Sequence, residues 1–216
     1  MHLLAPTTLR IAPAELPGRV RARFAAELRR AGKFAQLGML GAQSCLDAAG
    51  GEGDLGAVWS SPLGALRAIR AALNDDLRHD APVMPFTFIA MQPHLAAALL
   101  ARSHPVARSA HLHLADDAWP WLLRVAQGWL VTCDRVLVGC VEESGDDALA
   151  HRSDWCLVQN AAAAGSVRAE PACDAAVATS ATTTDWIGRI RDWRADVRAP
   201  LELAGSGEAW RFSVPD

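Results

Sequence analysis

Residues 34–48 are almost all apolar or small, and this stretch constrains the fold more than any other feature of the sequence. From Arg21 to Ala49 the apolar side chains Phe24, Leu28, Phe34, Leu37, Leu40, Cys45 and Leu46 return at steps near three or four. That is the period of an α-helix, and Gly32 marks a break between two helices. A helix without a wide polar face must be covered by other elements. The chain therefore needs a sizeable core, and its 216 residues, 51% hydrophobic and 21% charged, supply one and argue against disorder. One domain over residues 1–216 is the expectation.

The rest of the chain offers layers to cover that helix. Leu55 to Ser60 reads as a short buried strand ending at Ser61-Pro62, and Arg135 to Val141 is the clearest buried strand. Residues 106–114, 154–159 and 167–178 are further strands, with helices over 64–73, from Pro93 to about Ala101, and over 116–130. Between Pro6 and Pro13, Leu9-Arg10-Ile11 has room only for a short edge strand. Thr182 and Asp185 resemble the capping signal of a helix over 185–194, and residues 201–203 and 209–214 flank Gly205-Ser206-Gly207 as a hairpin. Alternation of apolar strands with helical crossovers predicts an α/β class, with helices layered around a mixed, largely parallel sheet.

Charge and cysteine usage narrow the function classes. A net charge of −3 provides no positive field for a phosphate backbone, which excludes nucleic acid as the main partner. No apolar run reaches the ~18 residues that cross a bilayer, and the first residues lack the basic and apolar regions of a secretory signal, so a cytoplasmic protein is expected. Five cysteines without a CxxC pair suggest neither a disulfide framework nor a zinc ribbon; they read as reduced thiols, mostly in the core.

Several groups carry candidate chemistry. His111 and His113 lie two apart on a strand and share a face, where a third ligand such as His94 or Asp116 would complete a metal site. Two imidazoles alone do not, so no metal is assigned and hydrogen-bonded or interface histidines are the plainer reading. Asp116-Asp117 fits a helix N-terminus better than paired acid and base. Glu142-Glu143 and Asp146-Asp147 follow a strand at its carboxyl end, where α/β proteins bind ligands, but a solvated acidic loop is the simpler reading. His151 with Cys156, and the hydroxyls of Ser60-Ser61, lack the local context that activates a nucleophile. Trp119, Trp121 and Trp129 straddle one helix, which suggests contact on several sides.

The order of elements from about residue 23 to 159 resembles the amino-terminal half of a β-ketoacyl synthase. It is more similar still to single-domain ketoacyl-synthase-like proteins of aryl polyene and xanthomonadin pigment pathways. The resemblance rests on the buried helix, on Val58-Trp59-Ser60-Ser61-Pro62-Leu63-Gly64, on Met84-Pro85-Phe86-Thr87-Phe88 leading into the helix from Pro93, and on Val136-Leu137-Val138-Gly139-Cys140-Val141-Glu142-Glu143. Where those relatives often read Phe-Ser-x-Ser-Val-His-Asn, this chain has Phe86 to Gln92, so that polar signature is lost. The resemblance implies a thiolase-like fold in which a cysteine, held where a strand meets a buried helix, accepts an acyl chain. Here that position falls at or next to Ala115, which cannot be acylated, and the two histidines used for decarboxylation belong to a carboxyl-terminal half that 216 residues leave no room for.

The resemblance thus implies a non-catalytic protein, like a chain-length factor, in polyketide, fatty acyl or pigment biosynthesis. It would form a homodimer, or a heterodimer with a ketosynthase, through strand 106–114, with an acyl carrier protein as a further partner and no cofactor. Its candidate pocket comprises His111, His113, Asp116, Met91 and Gln92. The alternative is a hydrolase or acyltransferase with a non-cysteine site near His111, His113 and Asp116.

Overall fold

The apolar stretch forms one helix, Lys33–Ala49, whose buried residues run from Phe34 through Leu37, Met39 and Ala42 to Leu46. The computed structural model describes residues 1–24, 28, 31–79, 84–114, 118–146, 148–172, 185–196, 199–205 and 208–214. In chain order its elements are β1 (His2–Ile11), α1 (Leu16–Phe24), α2 (Lys33–Ala49), β2 (Leu55–Ser60), α3 (Leu66–His79), α4 (Pro85–Ala90), α5 (Leu95–Leu100), β3 (Val106–Leu112), α6 (Ala118–Trp129), β4 (Arg135–Glu142), β5 (His151–Gln159), β6 (Val167–Pro171), α7 (Trp186–Ala195), β7 (Leu201–Gly205) and β8 (Glu208–Ser213).

All eight strands join one sheet in the order β3-β2-β4-β5-β1-β6-β8-β7. The sheet is mixed, as expected, but its parallel part is confined to β3, β2 and β4; every other pairing is antiparallel. The reason lies in the connections. Residues 61–105 and 113–134 are long enough to carry crossover helices, whereas the eight residues between β4 and β5 can only turn the chain back.

Each face of the sheet buries its own core. On one side Phe34, Leu37 and Cys45 of α2 pack on Leu55, Ala57 and Trp59 of β2 and on Leu137, Trp155 and Leu157. On the other, Leu122, Leu123 and Ala126 of α6 and Trp186, Ile187 and Ile190 of α7 meet Val58, Val136, Val138, Cys156 and Val158. Alternate residues of one strand serve opposite cores, as the period of two requires. Helix α2 lies flat on the sheet because Gly41 leaves room for a tryptophan: a Cβ at Gly41 would sit 2.5 Å from Trp155 Cδ1 and Nε1. Gly139, directly opposite Trp155 on β4, accommodates the same ring from the sheet side.

Two sequence expectations are corrected. The short edge strand at Leu9 to Ile11 is a ten-residue strand inside the sheet, paired with β5 on one side and β6 on the other. Pro6 does not end it, because the ladder shifts register between Leu4 and Thr7 and Ala5 takes a φ of 47°, which bulges the prolyl peptide out of the pairing. The Ala5 carbonyl freed by the bulge accepts from Thr7 Oγ1 at 2.9 Å and Cys45 Sγ at 3.3 Å. Helix α3, expected over 64–73, continues to His79; residues Asn74 to Arg78, all polar but Leu77, are exposed and contain no Gly or Pro to stop it. The hairpin of β7 and β8 is present, and Asp185 caps α7 through the Gly188 N–H at 3.2 Å. Thr182 and residues 173–178 of the expected sixth strand lie outside the described residues.

Candidate functional site

The carboxyl ends of the parallel strands β2 and β3 are tied together by serines. Leu112 O accepts from the Ser61 N–H at 3.2 Å and from Ser60 Oγ at 3.0 Å. Ser61 is only 1% exposed, and its Oγ lies 2.8 Å from His111 Nε2 while accepting the Gly64 N–H at 3.0 Å. His111 is the hub of a ring cluster. The His113 ring stands perpendicular to it with centroids 4.5 Å apart, that of His94 lies at 6.0 Å, and Trp59 and Phe34 close the inner side at 5.7 and 6.3 Å. His94 comes from the segment between α4 and α5, so three elements meet here; Pro93 and His113 both crowd Gly64.

This surrounding keeps His111 neutral. Burial pushes its pKa down to about 4, and the neighbouring His113 and His94 reinforce the shift. A neutral imidazole beside a buried hydroxyl can accept a proton only weakly. It is better suited to fixing the turn after β2 than to driving a nucleophile. Among the described residues no group of three or more His, Cys, Asp or Glu is arranged to hold a metal ion.

The structure brings together some of the residues singled out in the sequence and separates others. His111 and His113 meet, with His94 beside them. Met91 caps α4 through its N–H, and Gln92 turns its amide back to Phe88 O at 3.4 Å. Asp116 and Ala115, at or next to which the resemblance puts a nucleophile, lie outside the described residues, as do Asp117 and Cys173. His151 and Cys156 cannot work together, because odd and even positions of β5 face opposite cores. Burial raises the thiol pKa of Cys45 to about 12 and pushes those of Cys140 and Cys156 well above the usual range. Cys45 and Cys156 are buried core thiols and Cys140 is half-buried against the core, and thiols held protonated in this way are poor nucleophiles. Trp119 is buried against the sheet, whereas Trp121 is exposed.

One acidic residue departs from the solvated loop expected for it. Glu143 is 5% exposed and accepts the Arg67 N–H at 3.0 Å, and its burial raises the carboxyl pKa. Sequence reading missed this, because the residues that bury it, on α2 and α3, are more than sixty positions away. It likewise noted Ser61 without its histidine: the pairing of β2 with β3 in parallel register, Trp59 opposite His111, is what sets them side by side.

Helix α4 has no buried residue, and Phe86, Phe88 and Ile89 stand exposed beside Met84 and the α3 residues Leu73 and Leu77. Strand β3 ends the sheet, and among the described residues no strand covers its outer edge.

No family profile and no curated protein sequence matches the chain. Solved structures do. A chain in the complex of the ketosynthase ApeO with its chain length factor ApeC from Xenorhabdus doucetiae superposes with a TM-score of 0.62 at 17% identity, over 99% of this chain and 100% of that one. The ishigamide ketosynthase/chain length factor gives a TM-score of 0.53 at 16% identity, over 81% of this chain and 69% of that chain. The fold is thiolase-like, of the kind found in ketosynthase and chain length factor assemblies. Among the described residues, no helix is long and apolar enough to cross a membrane.

Proposed function

We propose that the protein is a non-catalytic partner of a ketosynthase, acting like a chain length factor in the assembly of a polyketide or pigment-type acyl chain. The observation that carries this reading is the open edge of β3, and the exposed aromatic residues of α4 are a second uncovered surface. An unpaired strand edge and a patch of large exposed apolar side chains are both liabilities for a lone chain, and one two-fold or pseudo-two-fold mate relieves both. The fold likeness to chains from ketosynthase and chain length factor assemblies supports the choice of mate. The absence of cysteine between Cys45 and Cys133 supports the loss of thiol chemistry, since Ala115 stands where the resemblance puts the nucleophile.

The test uses strand geometry. Leu112 turns its carbonyl toward β2, so by the alternation of a strand the backbone groups of Ser109 and His111 point outward. Ser109→Pro removes an outward N–H and leaves the β2 ladder intact. The variant keeps its circular dichroism and no longer co-purifies with a co-expressed ketosynthase that the parent chain binds. Unchanged binding by Ser109→Pro, or no binding by the parent to itself or to any ketosynthase, rejects the proposal.

A second reading, a hydrolase or acyltransferase near His111, His113 and Asp116, draws on the 2.8 Å contact of Ser61 Oγ with His111. Incubation with an acyl thioester followed by intact mass measurement separates the two. A covalent acyl adduct lost in Ser61→Ala favours this second reading, whereas an unmodified mass favours the first.

A further inference from the structure

Three helices meet around a cleft of about 360 Å³ on the α2 side of the sheet. Arg23 and Phe24 reach it from the end of α1, Met39 and Gln43 from α2, and Leu99 and Arg102 from the end of α5. Met39 and Gln43 are four positions apart and so lie in one line along α2. The floor is apolar: Leu28 and Met39 are buried in the core, and Phe24 and Leu99 pack against it. The polar groups of the lining are not equally engaged. Asp47 accepts from Arg23 and, at 2.9 Å, from Gln43 Nε2, while Gln43 Oε1 accepts from His104 Nε2 at 3.2 Å. Arg23 therefore has its counter-charge, and the Gln43 oxygen has a donor. The Arg102 guanidinium has neither a hydrogen bond nor an ion pair among the described residues, and none of the described lining residues is acidic.

We infer that this cleft binds a small monocarboxylic acid with an apolar body, its carboxylate paired with Arg102 and its hydrocarbon part lying along Phe24, Leu28, Met39 and Leu99. One uncompensated cation matches one negative charge, and a guanidinium takes a carboxylate through two parallel hydrogen bonds. A phosphate monoester, with about 1.5 to 2 charges at neutral pH, would leave charge unmatched. Four apolar side chains beside a single cation suit a ligand that is mostly hydrocarbon, since a polar body laid on them would lose water without gaining hydrogen bonds. The thioether of Met39 adjusts to the shape of what rests on it. The volume falls within the range of about 300–1,000 Å³ that small-molecule sites occupy. The inference stands on the cleft alone and does not draw on the proposed function.

Calorimetric titration of the full chain with octanoate, octan-1-ol and acetate tests the inference. Octanoate should bind saturably, octanol about tenfold more weakly because it lacks the charge, and acetate without saturation because it lacks the apolar body. Arg102→Ala, at an exposed position, should weaken octanoate about tenfold and bring it level with octanol. Arg102→Glu should reverse the order, so that octylamine binds and octanoate does not. Leu99→Gln should weaken octanoate and octanol alike, with circular dichroism showing that each variant is folded. Three results would overturn the inference: no saturable heat with octanoate up to about 5 mM, octanol bound as tightly as octanoate, or a preference for octanoate that survives in Arg102→Ala. These variants leave strand β3 unchanged and involve no ketosynthase, so their failure leaves the association experiment with Ser109→Pro standing, and the reverse holds too.

Discussion

Substituting Gly41 with alanine should destabilise the protein, although alanine is the better helix former. A methyl group at Gly41 would meet Trp155 Cδ1 and Nε1 at 2.5 Å, where contact distances between non-bonded atoms are about 3.5–4 Å. It would lie closer still to Ser153 Oγ. The ring has nowhere to retreat: Gly139 presses on its other face, Trp59 lies 6.5 Å away, and the void beside it holds about 10 Å³, no more than one water. Forcing an extra methyl into a packed core costs about 1–3 kcal/mol. The methyl also displaces Ser153, which is wholly buried and links Leu37 O at 3.1 Å to Trp155 Nε1 at 2.8 Å; two such bonds are worth about 1 kcal/mol each. Against a total near 4 kcal/mol, the gain in helix propensity returns about 1 kcal/mol. The net loss of about 3 kcal/mol corresponds to a fall in Tm of about 6–12 °C for a chain of this size. Gly128→Ala on α6 is the control, since nothing lies within 4 Å of its Cβ position; it should raise stability by about 0.5–1 kcal/mol. Thermal and urea unfolding followed by circular dichroism measure both. A fall below about 2 °C for Gly41→Ala would show that α2 does not rest on Trp155 as described.

Three further outcomes are expected. The folded pKa of His111 lies below its ordinary value of 6.5, at about 4, so the unfolded chain takes up the proton first and stability declines as pH falls from 6.5 towards 4; His111→Gln should flatten that slope, and equal slopes in urea titrations of the two proteins would contradict it. Asp154 is fully buried, between Arg10 at 3.2 Å and Arg152. Arg152→Met should therefore cost about 3 kcal/mol in urea unfolding, and a cost near zero would mean that Arg10 alone compensates the charge. Burial holds the Asp154 and Glu143 carboxyls above their usual range, so the fold binds these protons more tightly than the unfolded chain, and the stability they provide at low pH is lost as pH rises through the folded values; Glu143→Gln should remove the Glu143 share.

What could be read from the sequence was whatever depends on neighbours along the chain. The period of three to four in α2, the apolar run of β4 and the Asp185 cap are local signals, and all three appear where the residues put them. The bulge at Ala5 is local too, but a proline in a strand reads as an end until the pairing on both sides is known. The site was legible only in part. His111 and His113 share a face because of strand periodicity alone. The contacts of Ser61 with His111, and of Glu143 with Arg67, depend on register and on packing between residues fifty and seventy-six positions apart, which no local pattern encodes.

The place of β1 also determines when the molecule can be finished. Its partners are Gln159 to His151 and then Arg168 and Val167, so the middle of the sheet joins residues about 140 to 165 positions apart. On a ribosome adding about 5–20 residues per second, residues 2–11 would wait roughly 7–30 s before β5 exists to receive them. Leu3, Leu4 and Ile11, which end up in the two cores, remain uncovered for that time. Closing so large a loop is entropically slow, so refolding should be rate-limited by insertion of this strand. Until it is in place, β5 and β6 each present a bare edge, which makes the late intermediate the species most prone to aggregate.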